Sequence, residues 1–151
     1  MKIIAKNRRA RHDYEILERI TAGIALAGHE VKSIRAGHIS LKGSFVHFAN
    51  QEAYLVNAHI RRYSHAANLK DHDPTRARKL LMHRRQLDHL ASEKQSASLS
   101  VIPLSIGLEN GLIKLEIALA RGKKRYDKRE ALRKKTMKLD AALEVKRRNN
   151  T

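Results

Sequence analysis

Nine histidines and a dense population of lysines and arginines are the residues of this chain whose types could do chemistry. No two histidines form an H-x-x-x-H pair, and there is no cysteine to complete a thiolate site, so no metal is expected. Asp71-His72-Asp73 reads more simply as a helix-capping turn. Gly122-Lys123-Lys124 lacks the upstream glycine and the Ser/Thr of a phosphate-binding P-loop. Arg11-His12-Asp13 has the residue types for acid–base cleavage of RNA. In an extended segment, however, three neighbours alternate sides and do not converge on one phosphate. His12 reads instead as a stacking or hydrogen-bonding residue in a basic arm. No catalytic residue and no cofactor is expected, and an RNA-processing enzyme remains only as a third reading, through a partner remote in sequence.

The chemistry left is that of charge. The chain of 151 residues has a formal net charge of +17 and a pI near 10.6, which points to nucleic acid. Residues 121–151 hold thirteen Lys/Arg against four Asp/Glu, a net of +9. Leu132, Thr136 or Met137, Leu139 and Leu143 recur there at spacings of three and four, along one side of a helix. One narrow stripe in so much charge cannot pack as a globular helix. The segment is expected to be disordered alone and helical against a polyanion. There is no apolar run near twenty residues, and the tail has no Trp or Phe to seat in a membrane. The N-terminus is too charged for a secretory signal, so a cytoplasmic protein is expected. Four Tyr, two Phe and no Trp are few for stacking unpaired bases, which favours a folded RNA over a single strand.

The elements that must position these charges follow in order. Residues 1–12 form a basic arm with Arg8, Arg9, Arg11 and His12. Tyr14, Ile16, Ile20, Ile24 and Leu26 share one parity, a strand bent at Gly23. Residues 28–37 form a short helix stopped by Gly37, with Val31 and Ile34 inward and Lys32 and Arg35 available to phosphate. Residues 44–49 and 53–60 make a hairpin around Asn50-Gln51; Gln suits positive φ poorly, which argues for a longer loop. Residues 61–72 read as an exposed connection. Asp73-Pro74 opens a helix with Ala77, Leu80, Leu81, Leu87, Leu90 and Ala91 buried, a basic outer face of Arg76, Arg78, Lys79, Arg84 and Arg85, and an end near 93–96. The apolar phase shifts beside Pro103, predicting a bulge or an edge position. Asn110-Gly111 turns the last hairpin, whose return strand points Ile113, Leu115, Ile117 and Leu119 one way and Lys114 and Glu116 the other. The fold expected is mainly β: an OB-fold-like antiparallel barrel over 1–120 with two or three flanking helices, followed by the basic tail 121–151.

Four stretches stand out together: N-R-R-A-R-H-D-Y at 7–14, A-G-I-A-L-A-G-H-E-V-K-S-I-R-A-G at 22–37, H-D-P-T-R-A-R-K-L-L-M-H-R-R-Q-L at 72–87, and A-R-G-K-K-R-Y-D-K-R-E at 120–130. In this order and spacing they closely resemble the small protein B family, the SsrA-binding proteins of bacterial trans-translation. The resemblance runs from 7 to 130 and more loosely beyond. It implies an OB-like barrel without catalytic activity that binds the tRNA-like part of transfer-messenger RNA. It also implies delivery of that RNA to stalled ribosomes, with the tail in the empty mRNA channel of the small subunit, against rRNA of the decoding centre. Alanyl-tRNA synthetase and elongation factor Tu become partners indirectly, through the RNA. Carried over residue by residue, Asn7 and His12 fall in the family's RNA-contacting N-terminal motif, and Leu81 and Lys114 fall at positions of its RNA-binding surface. Leu81 conflicts with the core stripe drawn above. Gly122, Lys123 and Lys124, then Tyr126, Asp127, Lys128 and Arg129, match the ribosome-contacting tail. Thr21 stands where the family usually carries an acid, and Asn50-Gln51 lacks the usual Gly. Charge and fold alone equally allow a general basic ribosomal or RNA scaffold without preference among folded RNAs.

Overall fold

The computed structural model describes residues 1–62, 73–97 and 99–122. The basic tail from Lys123, including Lys124, Tyr126, Asp127, Lys128 and Arg129, and the connection from residue 63 to 72 lie outside the described residues.

Nine strands and three helices follow one another among the described residues: β1 (Lys2–Lys6), α1 (Arg8–Asp13), β2 (Tyr14–Ile24), α2 (Gly28–Arg35), β3 (Ile39–Ser40), β4 (Phe45–Ala49), β5 (Glu52–Val56), β6 (His59–Ile60), β7 (Arg78–Leu81), α3 (Arg84–Ala97), β8 (Ser100–Glu109) and β9 (Leu112–Gly122). Seven strands form one antiparallel sheet in the order β1-β8-β9-β2-β7-β5-β4, and β3 pairs with β6 apart from it. β4, at the far end of that order, packs back against β8. The result is OB-like but not a closed barrel; its ends are β1 and β4. No described helix is long and apolar enough to cross a membrane.

The inner face is the main core. Ile113, Leu115, Ile117 and Leu119 of β9 meet Ala22 and Ile24 of β2, Leu55 of β5, Leu80 of β7, and Leu87 and Leu90 of α3. A smaller cluster lies on the outer face, where Ala10 of α1 covers Ile102, Leu104, Ala118 and Ala120. β8 is therefore buried on both sides. Its bulge between Pro103 and Ser105 resets the side-chain alternation, so the phase shift marks a bulge in an interior strand. Pro103 lies beyond the end of β1, and its carbonyl accepts from Asn7 Nδ2 at 2.9 Å.

Several expectations hold. α2 ends before Gly37 at φ +83°, and the Asn110-Gly111 turn has both residues at positive φ. Gln51 does adopt φ +61° beside Asn50 at +52°, so that hairpin keeps a two-residue loop. Its second strand is shorter than expected; it stops at Val56, and the chain passes through Asn57 at φ +65° to β6.

Other expectations are corrected. The N-terminal arm is not loose: β1 pairs with β8, and α1 follows it. Arg11, His12 and Asp13 thus sit on a helix, not on an extended segment. β9 continues to Gly122, which pairs with Tyr14. Asp73-Pro74 does not open a helix. Asp73 Oδ1 accepts from Thr75 N–H at 3.0 Å in a local turn, the chain runs extended as β7, and the helix begins at Arg84. Arg78 and Leu80 then face inward while Lys79 and Leu81 face out, the alternation of a strand.

The cause is Arg78, expected on an outer face and fully buried here. Its Nε and Nη2 donate to Glu30 Oε2 at 2.9 and 2.7 Å, Nη1 to the Ala58 carbonyl at 2.8 Å, and Nη2 also to the Pro74 carbonyl at 3.0 Å. Glu30, in the first turn of α2, is equally buried. Its Oε1 accepts from the Ala27 N–H at 2.9 Å and from Arg76 Nη2, while Arg76 Nε donates to Oε2 at 3.1 Å. Burial raises the pKa of the Glu30 carboxyl, but the Arg76 bond, the Ala27 N–H and Arg78 outweigh it and hold it at about 2. Burial pushes the Arg78 guanidinium down, opposed by Glu30.

Glu30→Gln leaves the Arg78 charge buried and unpaired, so urea unfolding at pH 7 should show a loss of about 3–5 kcal/mol. Because the folded pKa is depressed, the wild-type advantage is complete above the ordinary value of 4.5 and drains away as pH falls from there toward 2. A wild-type-to-variant difference that stays constant from pH 6 to 2.5 contradicts this.

Candidate nucleic-acid interface

With Arg78 anchored inward, Leu81 must project outward at the end of β7, where it is 53% exposed. It pairs with Gly23, Gly23 pairs with Lys114, and Lys114 pairs with Gly107. Cross-strand partners share a face, so Leu81 and Lys114 flank Gly23 on the outer surface. A Cβ at Gly23 would stand 3.3 Å from the Leu81 Cβ, so glycine leaves the groove between them open. The next rows pair Thr21 with Glu116, and Arg19 with Ala118. Arg19 Nη1 lies 3.7 Å from Glu116 Oε1. Beyond them α1 covers Ala118 and Ala120.

The same outer face thus carries both groups of expected residues. Leu81 and Lys114 stand at one end; Arg8, Arg9, Arg11 and His12 of α1 stand at the other, about 20 Å along β9 at 3.3 Å per residue. Arg35 joins the Lys114 end: its Nη2 donates to the Gly111 carbonyl at 3.2 Å, at the tip of the β8–β9 hairpin. Lys32 is one turn back on α2. His12 Nδ1 is 3.3 Å from Asp13 Oδ1, a neighbour contact on a surface helix. Asn7 is different in kind, because its side chain holds the bulge at Pro103 and its N–H donates to the Leu104 carbonyl at 2.8 Å. It positions α1 over the outer face. Gly122 is the last residue of β9.

Acids are spent inside the protein. Glu30 holds Arg76 and Arg78, Glu52 lies near Lys79 and Arg84, Glu15 near Arg121, and Glu18 near His89. The hydrogen bond between His89 and the Glu18 carboxylate, which accepts it, raises the His89 pKa. Lys6, Arg8, Arg9, Arg11 and Lys114 have no carboxylate partner among the described residues. An uncompensated cationic surface around an exposed leucine and a flat glycine suits phosphate and the face of a base or ribose. Among the described residues no group of three or more His, Asp or Glu could hold a metal ion. Sequence reasoning missed Arg19 on this face, although its parity, opposite to Ile20 and Ile24, was a signal that could have placed it there.

A family model described as SmpB protein matches residues 4–147. The chain belongs to the SmpB family. An "SsrA-binding protein" of Shouchella clausii is 48% identical over 147 residues, covering 97% of this chain and 94% of that one. One from Acaryochloris marina is 47% identical over 97% of this chain and 95% of its own. Among solved structures, a chain described as "tmRNA-SmpB: a journey to the center of the bacterial ribosome" matches with a TM-score of 0.67 and 46% identity, covering 85% of this chain and 94% of that one. The resemblance carried by the four sequence motifs is thus a family membership, and the SmpB fold is the OB-like sheet described above.

If the Leu81 groove is a contact surface and not core, Leu81→Ala should change unfolding stability by no more than about 0.5 kcal/mol. It should still weaken binding to a folded RNA, with the salt dependence unchanged. Lys114→Ala should instead lower the slope of log K against log salt by about one. A destabilised Leu81→Ala, or one that binds normally, contradicts the placement.

Proposed function

We propose that this chain is a non-catalytic RNA-binding adaptor of ribosome rescue. It binds the tRNA-like part of transfer-messenger RNA and brings it to ribosomes stalled without a stop codon, so that the incomplete peptide is tagged for degradation. The observation that carries this is the likeness to SsrA-binding proteins across 97% of the chain. The outer face supports it physically. Its cations, fixed on strands and on a helix pinned by Asn7, can meet the backbone of a folded RNA at two places about 20 Å apart. Lys32, Arg35, Leu81 and Lys114 form one contact group; Arg8, Arg9, Arg11 and His12 form the other.

The basic segment after Gly122 is the ribosome-directed part. Lys123, Lys124, Tyr126, Asp127, Lys128 and Arg129 meet rRNA at the decoding centre, and the remainder follows the empty mRNA channel of the small subunit. The protein works in the cytoplasm, where the ribosomes are. It meets alanyl-tRNA synthetase and elongation factor Tu only through the RNA they share.

Removing residues 123–151 leaves β9 intact to its pairing of Gly122 with Tyr14. The shortened chain should keep its preference for transfer-messenger RNA over an ordinary tRNA and lose peptide tagging on stalled ribosomes. Loss of both, or tagging that survives, overturns this division of labour. Replacing Asp127, Lys128 and Arg129 together with Ala should reduce tagging in the same direction but less.

A further inference from the structure

One cationic feature shares Arg8 and Arg9 with the α1 contact group but adds Lys6 and Lys42, which neither group contains. A cleft of about 250 Å3 opens between the end of β1 with the start of α1 and the segment after α2. Lys6, Arg8 and Arg9 line one side; Ile39, Ser40 and Lys42 line the other. Lys42 belongs to none of the four motifs and lies 29 positions past the end of α1 in sequence. It is held in a fixed turn. Leu41 beneath it is buried, its carbonyl accepts from Ser44 N–H at 3.1 Å, and Lys42 N–H donates to Ser40 Oγ at 3.3 Å. The opposite wall is equally fixed, through the Asn7 bonds to Pro103 and Leu104.

No carboxylate lines this cleft, and among the described residues none pairs with Lys6, Arg8, Arg9 or Lys42. Four cations on a rigid, partly apolar frame repel one another, and an anion seated between them relieves that repulsion. The cleft opens at β1, the terminal strand of the sheet, whereas Leu81 lies on β7 with three strands between. At about 4.8 Å per strand the two are nearly 20 Å apart.

Resting on the RNA-binding reading above, we infer that this cleft seats one phosphate of an RNA backbone, with Lys42 as a contact in its own right. The phosphate comes from the tRNA-like RNA itself or from ribosomal RNA. The test is Lys42→Glu in the full chain, beside Lys94→Glu on α3 as a control of equal charge change. The probes are the tRNA-like part of transfer-messenger RNA and the vacant small ribosomal subunit. Lys42→Glu should weaken binding to one of them on the order of tenfold near 0.1 M salt and lower the salt slope by about one, with Lys94→Glu much less affected. Loss on the RNA fragment assigns the phosphate to that RNA; loss on the subunit assigns it to ribosomal RNA. Unchanged binding to both, or an equal loss in Lys94→Glu, overturns the cleft while leaving the adaptor reading in place. Failure of the wild-type chain to bind either probe overturns both.

Discussion

The buried carboxylate of Glu30, shared by the buried Arg78 and the partly exposed Arg76, is the constraint from which the outer surface follows. It fastens the start of α2 to β7 and, through Arg78, to the carbonyls of Ala58 and Pro74. Stripping the charges of water costs several kcal/mol per ion, and the arrangement holds because nearly every donor of Arg78 finds an oxygen. Its geometric consequence is simple. A strand alternates, so an inward Arg78 puts Leu80 in the core and Leu81 on the surface beside Gly23 and Lys114.

The same economy of acids shapes the rest of the surface. With Glu30, Glu52, Glu15, Glu18 and Glu116 engaged with neighbouring basic groups, the fold leaves a cationic outer face and a cationic seam. Such a surface binds polyanions by releasing counterions, and that alone is indiscriminate. Discrimination requires that the charges be fixed in space. α1 is fixed by Ala10 over Ala118 and Ala120 and by Asn7 at the bulge; Lys114 is fixed in the sheet; Arg35 is tied to the Gly111 carbonyl. Two groups of cations held on one rigid face have the geometry to distinguish one RNA shape from another, which is what the proposed adaptor role requires.

Much of this was legible in the sequence because it is local. The parity of β9, the Asn110-Gly111 turn, α2 with its Gly37 stop and the bulge beside Pro103 all depend on residues within a few positions of one another. The single parity expected of β2 fails, because a bulge at Leu17 turns Tyr14 and Ile16 to the outer face and Ile20 and Ile24 to the core. What was not legible depends on partners far away. Asp73-Pro74 carries the signals of a helix start, and a polar turn carries the same ones. Only Glu30, forty-eight positions from Arg78, decides between them. A helical reading of this stretch therefore buries Leu81, whereas the strand turns it to the surface. The N-terminal arm was hidden in the same way, since β1 gains its order from pairing with β8 at the other end of the chain. The tail's basic motifs, by contrast, announce their chemistry in composition alone.

The measurement that bears most directly on shape recognition is a salt titration of the full chain. Its arms are the tRNA-like part of transfer-messenger RNA and an ordinary tRNA of equal charge over the contacted region. Recognition by a rigid face predicts tighter binding to the first at every salt concentration, with parallel slopes. Curves that overlay would mean that the surface counts phosphates and nothing more, and the chain would then be a general basic scaffold.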